Sequence, residues 1–364
     1  MDSKGVAVAL TAAAFAGLLV CTWRERVAAS RKQGSLLFAF GVITDIQYAD
    51  REDGTNFLQT VRRRYRNALD ITKDAVRDWN KHAHEGGLPG WGPRTDISFI
   101  AQLGDVIDGC NKDLGASESA LNTVLTLLQK APTSHFVHCI GNHELYNFKR
   151  EQLYQVLASN PPGAELAAHS KAYFSFQPHP KFTMIVLDPY DISTLAPAND
   201  NPEPAYRMLS ENNPNDVRTG KDFTAGLEGI QKRWVPYNGA IGDQQLSWLE
   251  ATVCAAQKSR QRVVILTHVG VCPGSTEDST LIWNYEKVLE VCHKYTCVVA
   301  VMCGHDHTGG YALDAHGVHH ITFESPLECE VGEMAYGLVV VREHGLRLGG
   351  AGKTKTRDLL YRSY

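Results

Sequence analysis

The chain has 364 residues, 43% hydrophobic and 21% charged, with a formal net charge of -4. Usage this close to the globular average leads us to expect a packed core, and a weakly acidic chain lacks the broad basic surface that nucleic acid requires. Nine cysteines are scattered without a CxxC pair, several inside apolar runs. That argues against a disulfide framework or a zinc ribbon and for a reducing compartment.

The first element in chain order is an uncharged stretch, GVAVALTAAAFAGLLVCTW (5–23), followed by Arg24, Arg26, Arg31 and Lys32. Its length is near the roughly 20 residues that cross a bilayer. We expect residues 1–35 to be an apolar segment with a basic linker, anchoring a cytoplasmic catalytic part. A cleaved secretory segment, an organelle-targeting segment and a peripheral extension are the competing readings. Residues 36–364 then form one domain.

LLFAFGVITDIQ (36–47) reads as a buried strand ending in polar residues. Amphipathic spacing predicts a helix over about 61–82, and a serine start with apolar periodicity predicts another over 117–130. DISFIAQLGDVIDG (96–109) and HFVHCIGNHE (135–144) each read as strand then polar turn, and 171–188 as a hairpin. Residues from 189 to about 242 are rich in Pro, Asn and Gly, and we expect this irregular insertion to act as a lid or binding loop. Helices over 243–258 and 280–295 alternate with strands at 261–270 and 297–307, and short strands follow. The alternation predicts an α/β fold of layered sheets, a mixed sheet or a β-sandwich, flanked by helices.

Five of the apolar strands end in polar clusters: DIQ, GDVIDG, GNHE, TH and GHDH. Layered α/β sheets collect ligand chemistry at strand ends, where loops project side chains without breaking the core. The candidates are Asp45, Gln47, Asp105, Asn142, His268, His305 and His307. This oxygen-and-nitrogen set, without thiolate, suits Mn, Fe or Zn and is too rich in nitrogen for calcium. Seven donors exceed one ion but suffice for two if a carboxylate bridges. Two divalent ions about 3.5–4 Å apart are the arrangement that clamps both oxygens of a phosphoryl transfer. Each piece alone has an ordinary explanation. GDVIDG could be a turn, His268 a core histidine, GNHE a helix cap and HDH a solvated loop. Their ordered recurrence at five strand ends favours the metal site.

The series D-x-Q, GDxxD, GNHE, H, GHxH resembles the calcineurin-like metallophosphoesterases over about 36–342. Most members carry histidine where Gln47 stands. With TDIQYAD (44–50), GNHELYN (141–147) and GHDHTGGY (304–311), the chain is similar to the manganese-dependent ADP-ribose/CDP-alcohol diphosphatases. The resemblance implies a metallophosphoesterase-type β-sandwich. It also implies that Asp45, Gln47, Asp105 and His307 hold one ion, and that Asp105, Asn142, His268 and His305 hold the other. His143 would be the general acid or a cation beside the leaving oxygen, oriented by Asp108. Two divalent ions are implied, Mn²⁺ before Mg²⁺, Zn²⁺ or Fe²⁺, because an amide at position 47 weakens zinc binding. The implied reaction is hydrolysis of a small nucleoside diphosphate-linked substrate. ADP-ribose would yield AMP, and CDP-choline or CDP-glycerol would yield CMP, each with a phosphorylated product. A phosphodiesterase or phosphomonoesterase of the same superfamily is the alternative, and a binding protein with a vestigial metal site is a third reading. A monomer is expected. Tyr48 and Phe57 could stack on a base or simply pack, and VRRRYR (61–66) could contact phosphate or form a solvated helix face. Trp234, Tyr237 and Asn238 are expected near the nucleotide.

Overall fold

The computed structural model describes residues 34–56, 59–162, 172–197, 200–220 and 222–362. The uncharged stretch 5–23 and Phe57 lie outside the described residues. Among those described, no helix is long and apolar enough to cross a membrane.

β1 (Leu36–Ile43) shows why the sequence makes a sandwich. Phe38, Phe40 and Val42 project from one face, and Ala39 and Ile43 from the other, and all five are buried. A strand covered on both faces reads as an unbroken apolar run. The elements that follow are β2 (Gly54–Thr55), β3 (Arg62–Arg63), α1 (Tyr65–His84), β4 (Phe99–Gln102), α2 (Ser117–Leu128), β5 (Phe136–His138), α3 (Asn142–Asn147) and α4 (Arg150–Val156). Next come β6 (Phe174–His179), β7 (Phe182–Val186), α5 (Glu203–Asn212), α6 (Asp243–Lys258), β8 (Arg262–Leu266), α7 (Tyr285–Lys294) and β9 (Val298–Cys303). The chain closes with β10 (Gly310–Leu313), β11 (His319–Thr322), β12 (Ala335–Arg342), β13 (Gly345–Gly352) and β14 (Arg357–Leu360).

Two six-stranded sheets form, in the orders β14-β13-β12-β1-β4-β5 and β10-β11-β9-β8-β7-β6. Both are mixed. β1, β4 and β5 run parallel in the first, as do β7, β8, β9 and β11 in the second, with antiparallel partners outside them. The inner faces pack together through Phe38, Phe40, Phe99, Phe182, Met184 and Leu266. Phe40 and Phe99 stack with ring centroids 4.7 Å apart. Fully burying one such side chain stabilises the fold by roughly 1.5–3 kcal/mol.

Helices cover the outer faces. α1 buries Ala68, Ile71, Ala75, Trp79 and Ala83, spaced three or four apart, with Val76 beside them, so one stripe meets the sheet. Trp79 Nε1–H donates to Gly337 O of β12 at 3.0 Å. Lys81 occupies the last turn, where positive charge suits the helix dipole.

The insertion 189–242 is more ordered than its composition predicts. It contains α5 and a short 3-10 turn, Gly229–Arg233. Trp234 stacks on Trp283 in a separate small core with Leu209. The helix expected from 280 begins only at Tyr285, after a 3-10 turn at Asp278–Thr280.

Candidate metal centre

The C-terminal ends of β1, β4, β5, β8 and β9 lie on one side of the sandwich, and the chain leaves each through a polar turn. Asp45 N–H donates to Gly104 O, Gln47 N–H to Asp105 O, and Gly304 N–H to His268 O, all at 2.9–3.0 Å. Neighbouring strand ends are thus tied by backbone before any side chain is counted. Asp45, Gln47, Asp105 and His305 adopt positive φ, between 44° and 69°. Non-glycine residues there cost on the order of 1–3 kcal/mol each, and such outliers gather at functional sites.

The side chains converge. Gln47 Nε2 lies 3.1 Å from Asp105 Oδ2 and 2.9 Å from His307 Nε2. His307 Nε2 is 3.5 Å from Asp45 Oδ1. His268 Nε2 is 3.3 Å from both Asp105 Oδ2 and Asn142 Oδ1. Ligand atoms of Asp105, His268 and His305 all fall within 4.8 Å of one another. All seven donor residues named from the sequence stand in this one cluster, with Asp105 between its two halves.

The donor set fits divalent cations. Asp45 Oδ1 and Gln47 Oε1 are buried without a hydrogen-bond partner, a costly state for polar atoms unless something else satisfies them. Burial works against charge on both aspartates, yet His268 and His307 hold Asp45 below its ordinary value, and His268 and His143 do the same for Asp105. Burial opposes charge on the imidazoles too, but Asp105 and Asp45 push His268 up to about 9. Asp45 and Glu328 likewise push His307 up to about 10. Burial and the neighbouring His268 lower His305 to about 3. Two buried carboxylates therefore draw positive charge into the cluster, and metal cations would displace protons from the same donors.

Each imidazole is oriented from behind. His268 Nδ1–H donates to Leu103 O at 2.7 Å, His305 Nε2–H to Asn238 Oδ1 at 2.8 Å, and His307 Nδ1–H to Glu328 Oε1 at 2.8 Å. That leaves Nε2, Nδ1 and Nε2 respectively as the free donors, the geometry in which a partner behind the ring fixes the tautomer.

His143 reaches the same cluster, its Nε2 3.9 Å from Asp105 Oδ2. Its Nδ1 accepts from Gly109 N–H at 2.8 Å. Asp108 Oδ2 is 3.4 Å away and has no hydrogen-bond partner, while Asp108 Oδ1 accepts from Cys110 N–H. The orienting hydrogen bond expected from Asp108 is thus made by Gly109.

Several contributors escaped sequence reasoning. Glu144, fully buried, accepts backbone N–H groups from Asp105, Val106 and Gly141 at 2.6–2.8 Å. Burial and Asp105 raise its carboxyl to about 7. Its position three residues after the N-cap Gly141 was the available clue. The Tyr190 hydroxyl donates to Asn142 Oδ1 at 3.3 Å. Asn238 and Glu328 had no local clue. The arginines of 61–66 prove to be internally paired: Arg62 with Asp53, Arg64 with Glu330, and Arg66 with Asp50 and Glu52. Arg63 lies 3.9 Å from Glu328.

Beside the cluster opens a cavity of about 1020 Å³, lined by Tyr237, Phe223, Lys232, Thr276, Glu277 and Asp278. The Tyr237 ring sits 5.8 Å from that of His305. Of the three insertion residues expected there, Tyr237 lines the cavity, Asn238 braces His305, and Trp234 is core.

Residues 38–309 match the calcineurin-like phosphoesterase family. The chain belongs to that family. Within it, the chain is 39% identical over 325 residues to the manganese-dependent ADP-ribose/CDP-alcohol diphosphatase of Arabidopsis thaliana, covering 88% of this chain and 96% of the relative. The Homo sapiens protein of the same name is 36% identical over 338 residues, covering 90% and 93%. Among solved structures, a dimetal phosphatase from Danio rerio superposes with a TM-score of 0.80 at 33% identity, covering 90% of this phosphoesterase and 100% of that chain.

Proposed function

We propose that this chain is a dinuclear-metal hydrolase that cleaves the pyrophosphate bond of ADP-ribose and of CDP-alcohols, releasing AMP or CMP and a phosphorylated product. The observation that carries the reading is the convergence of seven oxygen and nitrogen donors around Asp105, with Asp45 Oδ1 and Gln47 Oε1 left without partners. The relatives named above supply the substrate class.

Asp45, Gln47, Asp105 and His307 would hold one divalent cation and Asp105, Asn142, His268 and His305 the other, with manganese the ion expected from the amide at Gln47. Bound there, the pair would lower the pKa of a water and neutralise phosphoryl charge. The protein's own groups do the rest. Glu144 holds the backbone of Asp105 against that of Gly141, and His143 N–H holds the Asp105 carboxylate that would be shared. Gly109 N–H occupies His143 Nδ1, so the neutral ring carries its proton on Nε2, which faces the cluster. That N–H is the one His143 would offer as a hydrogen bond to the departing phosphate oxygen, steadying its charge without giving the proton up. The cavity beside His305 has the capacity for a nucleoside and its sugar or alcohol, within or just above the usual ~300–1,000 Å³ for ligand sites. The catalytic unit is residues 36–364, with 189–242 supplying Tyr237 and Asn238.

The test is a substrate panel on metal-stripped protein beginning at Ser35. ADP-ribose, CDP-choline, cyclic AMP and p-nitrophenyl phosphate are each offered with Mn²⁺, Mg²⁺, Zn²⁺ or Fe²⁺. The proposal expects ADP-ribose and CDP-choline to be turned over best with Mn²⁺. A preference for cyclic AMP or the monoester overturns the substrate reading, and full activity with Zn²⁺ alone overturns the choice of metal.

A further inference from the structure

The three imidazoles of the cluster differ in what stands behind them. Leu103 offers a carbonyl and Asn238 an amide, both neutral, whereas Glu328 offers His307 a carboxylate at 2.8 Å. A hydrogen bond to an ionised acceptor is roughly twice as strong as a neutral one, and it makes the imidazole a better donor at its other nitrogen.

Glu328 is held for this purpose from several sides. It ends the 3-10 turn Pro326–Glu328, in which Leu327 N–H donates to the capping Ser325 Oγ. The same Ser325 hydroxyl donates to Asp45 O at 2.7 Å, tying the turn to a neighbouring donor residue. Arg64 N–H donates to Leu327 O at 2.8 Å, and Lys353 Nζ donates to Glu328 O at 2.9 Å. Arg63 Nε, buried and without a hydrogen-bond partner, lies 3.9 Å from the Glu328 carboxylate. Held through Nδ1 by this carboxylate, the His307 ring presents Nε2 toward Gln47 and Asp45.

His307 shares its place with Gln47, and an amide is a weaker donor than an imidazole. We infer that Glu328 is a positioning residue for His307 that compensates for the amide at Gln47 and sets the affinity of the ion held by Asp45, Gln47, Asp105 and His307. The inference rests on the ligand sets given under the proposed function and goes beyond them by assigning unequal support to the two ions.

The experiment measures Mn²⁺ binding to the metal-stripped protein without substrate, by calorimetry and by electron paramagnetic resonance. Three proteins are compared: wild type, Glu328→Gln, and the double variant Gln47→His/Glu328→Gln. Thermal unfolding without metal checks that each is folded. Wild type takes up two ions. In Glu328→Gln one class of site weakens about 10- to 100-fold while the other is unchanged, and the spin-coupled two-ion spectrum gives way to that of a single ion at intermediate Mn²⁺. In the double variant the imidazole at position 47 restores the weakened class, a rescue that a merely structural role for Glu328 does not produce. Equal weakening of both classes, unchanged binding in Glu328→Gln, or no rescue overturns the inference. Wild-type protein that takes up two ions but hydrolyses neither ADP-ribose nor CDP-choline sinks the substrate reading and leaves this one standing. Wild-type uptake of fewer than two ions sinks both.

Discussion

His305 Nε2–H donates to Asn238 Oδ1 at 2.8 Å, joining the GHDH turn to a segment 67 residues earlier. Asn238 is itself fixed, because its Nδ2 donates to Arg233 O and Ser279 O. The insertion therefore braces the metal centre as well as bordering the cavity. Asn238→Ala would remove the partners of the His305 N–H and of Ser279 O, while Arg233 O keeps Val235 N–H, a loss of about 1–3 kcal/mol for each group not rescued by water. Its melting temperature should fall by several degrees and its Mn²⁺ requirement should rise. Asn238→Asp keeps the acceptor for His305 and should retain more Mn²⁺ binding than the alanine variant. Equal Mn²⁺ binding by wild type and Asn238→Ala would contradict the bracing role.

Gly304 answers why a buried strand ends in glycine before two histidines. A Cβ at this position would lie 2.0 Å from Thr44 Oγ1 and 2.3 Å from Asp45 Oδ2. Those two atoms are hydrogen-bonded to each other at 2.6 Å, and His305 N–H donates to the same Asp45 oxygen at 2.9 Å. Gly304→Ala must push Asp45 out of its position. We expect at least one Mn²⁺ to be lost, and activity to fall by about two orders of magnitude or more, since a displacement of about 1 Å at a reacting centre can cost ~10²-fold. Far-ultraviolet circular dichroism should be unchanged, because both sheets are held independently of this contact. Two ions bound at wild-type affinity would refute the argument.

The side chain of His143 is not what holds the cluster together. Its ring meets the Gly109 amide, the edge of Tyr146 at 68°, Asp108 Oδ2 at 3.4 Å and Asp105 Oδ2 at 3.9 Å, and the bond from its backbone N–H to Asp105 Oδ1 survives truncation of the side chain. His143→Ala should therefore bind two Mn²⁺ ions as wild type does while kcat drops about 10²- to 10³-fold, the usual cost of removing one hydrogen-bond donor to a developing oxyanion. Steady-state kinetics at saturating Mn²⁺, paired with a metal stoichiometry on the same sample, decides it. Unimpaired kcat would remove His143 from the mechanism.

The strand-end chemistry was legible because period and polarity change at the same residues. Buried strands give unbroken apolar runs, and GDVIDG, GNHE and GHDH interrupt them abruptly. Glu328 and Asn238 were not legible, since nothing local marks them. Their role exists only through contacts 21 and 67 residues away. β13, GLRLGGAG, escaped for a different reason. It lacks β-branched and aromatic residues and is half glycine, so it is a strand by virtue of pairing with β12 and β14. Within the insertion, Asn and Pro mimicked disorder. Asn213 Nδ2 in fact spends its donors on Phe223 O and Trp234 O, and Asn238 does likewise with Arg233 and Ser279. Composition shows such side chains as loop formers and hides that they are satisfying buried backbone.

A last prediction concerns acid stability, away from the metal centre. His138 ends β5 with its ring stacked on Phe136 and its Nδ1 buried without a partner. It borders a void of about 30 Å³ among Ile140, Leu153, Leu157 and Phe174. Burial in these apolar surroundings lowers its pKa from the ordinary 6.5 to about 4. Between those values the unfolded chain binds a proton that the folded chain refuses, so stability rises with pH across that window. The contribution is fully present above pH 6.5 and is lost progressively on acidification toward about pH 4, on the order of 3 kcal/mol in all. Wild type should melt at steadily lower temperature from pH 6.5 downward. His138→Leu has no proton to take up and should show a shallower decline, even if it begins from a lower melting temperature at pH 7.5. Parallel melting curves for the two proteins across this range would mean that His138 is hydrated or otherwise able to carry its charge in the folded state.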